Sequence, residues 1–175
     1  MTAQSHSRGR ARLGPGERHA RALARLAAVQ ALYQMEIAEA DAASVIAQFA
    51  AHGFAGLAEG LDAPPALAEP EAVPDTEHFE SLVSGVVARQ GEVDRAVNRH
   101  LSAGWKLERV DAMLRALLRA AAFELIARPD IPARATVASY VDLAHAFYGS
   151  EETGFVNGLL DALAHEVRTA EFGAS

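Results

Sequence analysis

The sequence predicts an all-α protein, a compact helical bundle, and three observations carry that reading. No stretch alternates apolar and polar residues over five or six positions, as a half-buried strand requires. Apolar residues recur instead at spacings of three and four, the signature of an amphipathic helix. Half of the 175 residues are apolar, alanine is abundant and only 6% are aromatic. That composition suits helices in close approach rather than a β-sandwich or a disordered chain, and the length suffices for one ordinary core.

Residues 1–16 read as a disordered basic tail, ending at Gly14-Pro15-Gly16, which cannot continue a helix inward. A first helix is expected from about Glu17 to Glu39, with Leu23, Leu26, Val29, Gln30, Tyr33 and Ile37 on its inner face. Asp41 is a good N-cap for a second, reaching His52 and burying Val45, Ile46 and Phe49. Residues 53–74 hold Pro64, Pro65, Pro70 and Pro74, so they form a long loop. A third helix starts near Asp75 and carries Phe79, Leu82, Val83, Val86 and Val87; Gly91 is expected to kink or split it before Val93, Val97 and Leu101. Ser102-Ala103-Gly104 ends that stretch. The clearest period follows in "WKLERVDAMLRALLRAAAFELIAR", where Asp111–Arg115 and Glu124–Arg128 are spaced for ion pairs along one helix, until Pro129 and Pro132 end it. A helix over about 133–148 and a last one over about 151–168, capped by Ser150, complete the bundle. The domain therefore spans 17–170, with residues 171–175 as a C-terminal tail.

Charge is unevenly placed. The net charge is −7, yet residues 1–25 hold six arginines and one acid. Residues 26–88 hold ten acids and no Lys or Arg. A basic end on an acidic chain implies a local anion site rather than general affinity for polyanions. Arg18, Arg21 and Arg25 are spaced to form one stripe bordering the apolar face of the first helix, which suits phosphate contacts. Tyr33 lies at the edge of the same face, where a ring can stack on an exposed base. The competing readings are a solvated arginine row and a core tyrosine.

Other chemistry is thinly represented. With no cysteine, disulfides, Cys-ligated zinc and a thiol nucleophile are excluded, and the chain suits a reducing, cytoplasmic compartment. There is no glycine-rich phosphate loop, no zinc-protease motif and no nucleophile elbow. The seven histidines show no metal-ligand spacing on one helix face, and Glu151-Glu152 falls where a helix N-terminus explains it. No catalytic residue, metal site or cofactor is expected. No apolar run is long enough to span a bilayer, so no membrane association is expected either.

One pair is out of place. Asn157-Gly158 is a hairpin signal, yet it lies inside "GSEETGFVNGLLDALAHEV", a run with helical spacing. A residue without a side chain there suggests a close approach by a neighbouring helix at Gly158. Asn157 would then hydrogen-bond a loop or helix end.

Three stretches carry a resemblance. "RLAAVQALYQ" (25–34) resembles the first-helix signature of the NusB transcription antitermination family, "LLRAAAFELIARPDIPA" (117–133) its central element, and "VDLAHAFYGSEETGFVNGLLDAL" (141–163) its C-terminal signature. The resemblance implies two packed helical subdomains. It also implies binding of boxA-type single-stranded RNA of ribosomal RNA leaders together with NusE, the small-subunit ribosomal protein. Other Nus factors and RNA polymerase would follow indirectly. Family RNA contacts begin at the arginine-rich first helix, so Arg18, Arg21 and Arg25 are the expected contacts, with Tyr33, and with Phe155 near the RNA path. The family includes monomers and dimers, so a homodimer is open. The first helix departs from the usual tighter arginine cluster, and Val137-Ala138-Ser139 replaces a common Ile-Asn-Glu. The alternative is a helical interaction module that uses its acidic surface without specific RNA binding. NusB-like domains also occur fused to RNA cytosine methyltransferases, whose thiol nucleophile is absent here.

Overall fold

The computed structural model describes residues 13–54 and 73–173. Among them are helices α1 (Pro15–Ala38), α2 (Ala42–His52), α3 (Thr76–Ala88), α4 (Gln90–Asn98), α5 (Ala112–Ala127), α6 (Ala133–Phe147) and α7 (Ser150–Val167). Short 3₁₀ turns occupy Leu107–Arg109 and Thr169–Glu171, and the described residues contain no strand. Most of the tail at 1–16 and most of the 53–74 loop lie outside the described residues, as do Ala174 and Ser175.

The helices start where short-range chemistry dictates. Gly14 precedes Pro15 at the first helical position, and its N–H donates to Glu17 Oε2 at 3.0 Å. Asp41 accepts from the Ser44 N–H at 2.7 Å, capping α2 as the sequence predicts, and Asp75 from the His78 N–H at 3.0 Å, capping α3 at the expected start of that helix. Ser150 does not cap α7: it is the first helical residue, Gly149 is the N-cap, and no side chain closes that end. The split between α3 and α4 falls at Arg89, whose backbone leaves helical geometry, rather than at Gly91, which sits in the first turn of α4.

Helix α5 is the axis, packing on α1, α3, α4, α6 and α7. Helices α1, α2 and α3 form one group; α4, α6 and α7 gather round α5 as the other, and a single apolar core joins the two. Leu26, Ala27 and Val29 of α1 and Leu117, Leu118 and Ala121 of α5 are all fully buried in that core. Ile37 escapes it, 62% exposed at the last turn of α1. The C-terminal carbonyls of α5, among them Leu125 O, which the helix leaves unpaired, are met from the far end of the chain. Arg168 Nε donates to Leu125 O at 2.6 Å, and its Nη2 to Glu124 O and Arg128 O at 3.3 and 2.5 Å.

The glycine that permits close approach is Gly85, not Gly158. A β-carbon on Gly85 would lie 2.0 Å from the Phe123 ring, so α3 meets α5 there only because the side chain is missing. A β-carbon on Gly158 would meet nothing within 4 Å, and the residue faces solvent. Asn157 is exposed and makes no side-chain hydrogen bond among the described residues. The Asn-Gly pair therefore has no packing role here, and helical context overrides its turn preference. Gly158→Ala should raise stability by up to about 1 kcal/mol through helix propensity alone. A lower chemical-denaturation midpoint would show instead that a neighbour occupies this site.

Candidate nucleic-acid interface

The arginine stripe divides along its length. Arg25 is buried, 5% exposed, with its fork on the carboxylate of Glu124 from α5. Its Nε lies 3.1 and 3.0 Å from the two carboxylate oxygens, and its Nη2 lies 2.5 Å from Oε1. Its Nη1 donates to Ser139 Oγ at 3.1 Å. Glu124 also accepts from Tyr140 Oη at 2.8 Å and, more weakly, from Thr136 Oγ1 at 3.4 Å. Arg128 Nη1 can only donate, and it lies 3.1 Å from His78 Nδ1, which therefore accepts. That leaves the ring proton of His78 on Nε2, facing Glu124 across 3.5 Å.

Electrostatics follow this geometry. Burial alone would raise the Glu124 carboxyl, but the His78 contact and the Arg25 charge and hydrogen bonds hold it far below the usual carboxylate range. Burial works against the Arg25 charge, and Glu124 reverses it, so the guanidinium is held more firmly charged than in water. Burial, reinforced by the adjacent carboxylate, pushes the Tyr140 phenol well above its ordinary value. Arg25 is thus a structural pin between α1, α5 and α6, and the expectation that it contacts phosphate is corrected. The expected ion pairs along α5 are corrected with it. Glu124 pairs with Arg25 rather than Arg128, which takes Asp130. Asp111 caps α5 and accepts the Tyr148 hydroxyl, while Arg115 pairs with Glu36 of α1.

Arg18 and Arg21 remain. Neither makes an ion pair among the described residues. Arg18 is exposed, with one long hydrogen bond of 3.4 Å to Leu13 O. Arg21 is half-buried, its Nε covered and without a hydrogen-bond partner. Burial first, then the neighbouring Arg25 and Arg128, press its pKa below the ordinary arginine value. The Asp75 N–H donates to Ala20 O at 2.9 Å, which seats the start of α3 against α1 beside Arg21. A cation without an ion-pair partner therefore stands at the N-terminal end of α1, where Glu124 and Asp130 are committed to other arginines and Asp75 caps α3.

The expected aromatic contacts lie elsewhere. Tyr33 is half-buried against the core, three turns along α1, and Phe155 is 37% exposed in the second turn of α7. Tyr33 lies about 18 Å along α1 from Arg21, and Phe155 stands on a different helix, α7. Asn157 instead lines a groove of about 340 Å³ between α6 and α7, with Arg134, Val141, Asp142, Asp161 and Phe172. No group of three or more His, Asp or Glu among the described residues is placed to hold a metal. No described helix is long and apolar enough to cross a membrane.

Fold and site together define a helical protein organised round one buried helix, with an unpaired cationic end. The NusB family profile matches residues 22–165. The transcription antitermination protein NusB of Bradyrhizobium sp. is 44% identical over 166 residues, 95% of this chain and 94% of the relative. That of Caulobacter vibrioides is 45% identical over 148 residues, 85% of this chain and 94% of the relative. Among solved structures, T. maritima NusB superposes with a TM-score of 0.64 at 25% identity, covering 93% of this chain and 99% of that one. A structure of antitermination factors NusB and NusE in complex with dsRNA gives a TM-score of 0.61 at 21% identity, covering 83% and 96%. The chain belongs to the NusB family.

Proposed function

We propose that this protein is a cytoplasmic transcription antitermination factor without catalytic activity. It binds boxA-type single-stranded RNA of ribosomal RNA leaders together with NusE, and helps to assemble an antitermination complex on RNA polymerase. The observation that carries the RNA half of this reading is the surplus charge at Arg18 and Arg21, the latter with a covered N–H that lacks an acceptor. A phosphate oxygen supplies both the acceptor and the counter-charge. The basic segment before α1, with Arg8, Arg10 and Arg12, adds charge at the same end of the sequence. Exposed acids at Glu39, Glu77 and Glu80 leave negative surface for a basic partner such as NusE, although Glu36 is engaged by Arg115 and Arg119.

RNA affinity measured against salt tests this directly. Arg18→Ala with Arg21→Ala should weaken binding of boxA-type RNA and reduce the log–log salt slope by about 1.4, at about 0.7 per single-strand phosphate contact. NusE should tighten RNA binding, and RNA should tighten NusE binding by the same factor. RNA affinity indifferent to both arginines would return them to a solvated face. NusE binding without any RNA binding would favour the interaction-module reading.

A further inference from the structure

We propose that the turn joining α4 to α5 is a second contact for single-stranded RNA. Trp105 would serve as a stacking platform there, and Lys106 and Arg109 as phosphate contacts. This rests on the reading that the chain binds single-stranded RNA, but it concerns a surface distant in sequence from the arginine stripe.

Trp105 is the one tryptophan of the sequence, and it is 60% exposed. No ring or cation packs on it among the described residues. The backbone beneath it is nevertheless fixed. The Trp105 N–H donates to Ser102 O at 2.9 Å, across Gly104, whose φ of +85° favours glycine. The Leu107 N–H donates to Asn98 Oδ1 at 2.9 Å, and the Leu107 side chain is buried. Arg115 Nη1 donates to the carbonyls of Leu107, Glu108 and Val110 at 3.3, 3.0 and 2.6 Å. The same guanidinium is paired with Glu36, which ties the turn to the last turns of α1. A large apolar ring is thus held in water on a braced turn.

The charges beside it fit a nucleotide. The Arg109 N–H closes the 3₁₀ turn on Lys106 O at 2.9 Å, and residues three apart stack on one side of such a turn. Lys106 and Arg109 are both exposed and make no ion pair among the described residues, whereas Arg99, Arg115, Arg119 and Arg128 all do. An apolar protein partner seated on Trp105 would bury these two cations without counter-charge, which is costly. A basic partner would be repelled. A nucleotide brings a π-face for the indole and a phosphate for the cations together. The turn lies near Glu36, about 22 Å along α1 from Arg21. A strand engaging both ends is therefore longer than one held by the arginines alone.

The test uses the full chain and its single tryptophan as reporter. Single-stranded RNA of about 12 nucleotides is titrated while tryptophan emission and the anisotropy of labelled RNA are followed together. Saturable quenching in step with anisotropy is expected. Trp105→Ala should weaken binding on the order of tenfold, with Trp105→Phe close to wild type. Lys106→Ala with Arg109→Ala should flatten the salt slope by about 1.4. Anisotropy that depends on Arg18 and Arg21 but leaves emission and the Trp105 variants unchanged would overturn this proposal and keep the RNA reading. An emission shift on adding a basic protein alone, or on raising the protein concentration alone, would overturn it in favour of a protein surface. No RNA binding by any readout would overturn both.

Discussion

Replacing Arg25 by alanine should destabilise the fold by about 3–5 kcal/mol, because it strands a buried carboxylate. Glu124 is fully buried and its two oxygens are arranged for a cation that bonds both of them. Tyr140, Thr136 and His78 would remain, but none of them bonds both carboxylate oxygens as the guanidinium does. Glu124→Gln keeps the shape and removes the charge, leaving Arg25 buried and unpaired, so it should cost nearly as much. The pH dependence separates this ion pair from ordinary packing. The folded Glu124 pKa is depressed, so the unfolded chain binds its proton first as pH falls. The stabilisation is present above the unfolded value of about 4.3. It is lost as pH drops through that value toward the folded one. Wild type should therefore lose stability steeply below about pH 5. Glu124→Gln should show a shallower acid limb on a lower plateau, measured by denaturant unfolding across pH. Equal acid slopes in the two proteins would mean that Glu124 is not the group that titrates. RNA affinity of the folded Arg25→Ala protein should change little at neutral pH, in contrast with Arg18→Ala and Arg21→Ala.

Local signals and long-range ones were unequally legible. Asp41 and Asp75 cap α2 and α3 because an N-cap needs only its own next three residues, and the sequence states them in full. Helix periods likewise placed α6 and α7 to within a few residues, but the period read from Leu107 onward begins too early: Leu107–Arg109 is a 3₁₀ turn and α5 starts at Ala112. The partners of charged groups were not legible. Arg25 and Glu124 are 99 residues apart, and nothing in the i,i+4 pairing rule weighs a partner on another helix. That rule assigned Glu124 to Arg128 and Asp111 to Arg115; burial beside Arg25 overrode the first, and the N-cap role of Asp111 the second. The same blindness made Arg25 look like its stripe-mates. One turn along α1 separates a half-exposed cation from one enclosed by α5 and α6, and the helical wheel shows the angle but not the depth. The signal that separates them was present as Glu124 itself, an acid inside an otherwise apolar run from Ala120 to Ala127, which must find a buried partner. The cap that Arg168 places on the end of α5 was equally silent, since its acceptors are backbone carbonyls with no sequence identity.

Gly85→Leu should cost about 1–3 kcal/mol or more, and the cause lies in the distance between two helices rather than in helix propensity. Leucine is a better helix former than glycine by several tenths of a kcal/mol, so propensity alone predicts a gain. Against that, even the first carbon of the new side chain would fall 2.0, 2.4 and 2.6 Å from three atoms of the Phe123 ring. Phe123 is itself buried in the core of α5. Relief requires the ring to turn into neighbours that already fill the space, or α3 to move away from α5. Moving α3 would disturb the contact of Asp75 with Ala20 and the seat of His78 beside Glu124. The charged network and this glycine are therefore coupled through the position of one helix. Gly85→Ala tests the same point with the smallest possible intrusion and should also destabilise. Pairing it with Phe123→Leu, which removes the obstructing ring, should recover part of the loss. The double change would then be less damaging than the sum of the two single changes, as expected for residues sharing one space. Strict additivity in denaturant unfolding would show that Phe123 moves aside freely, and that α3 is held against α5 by other contacts.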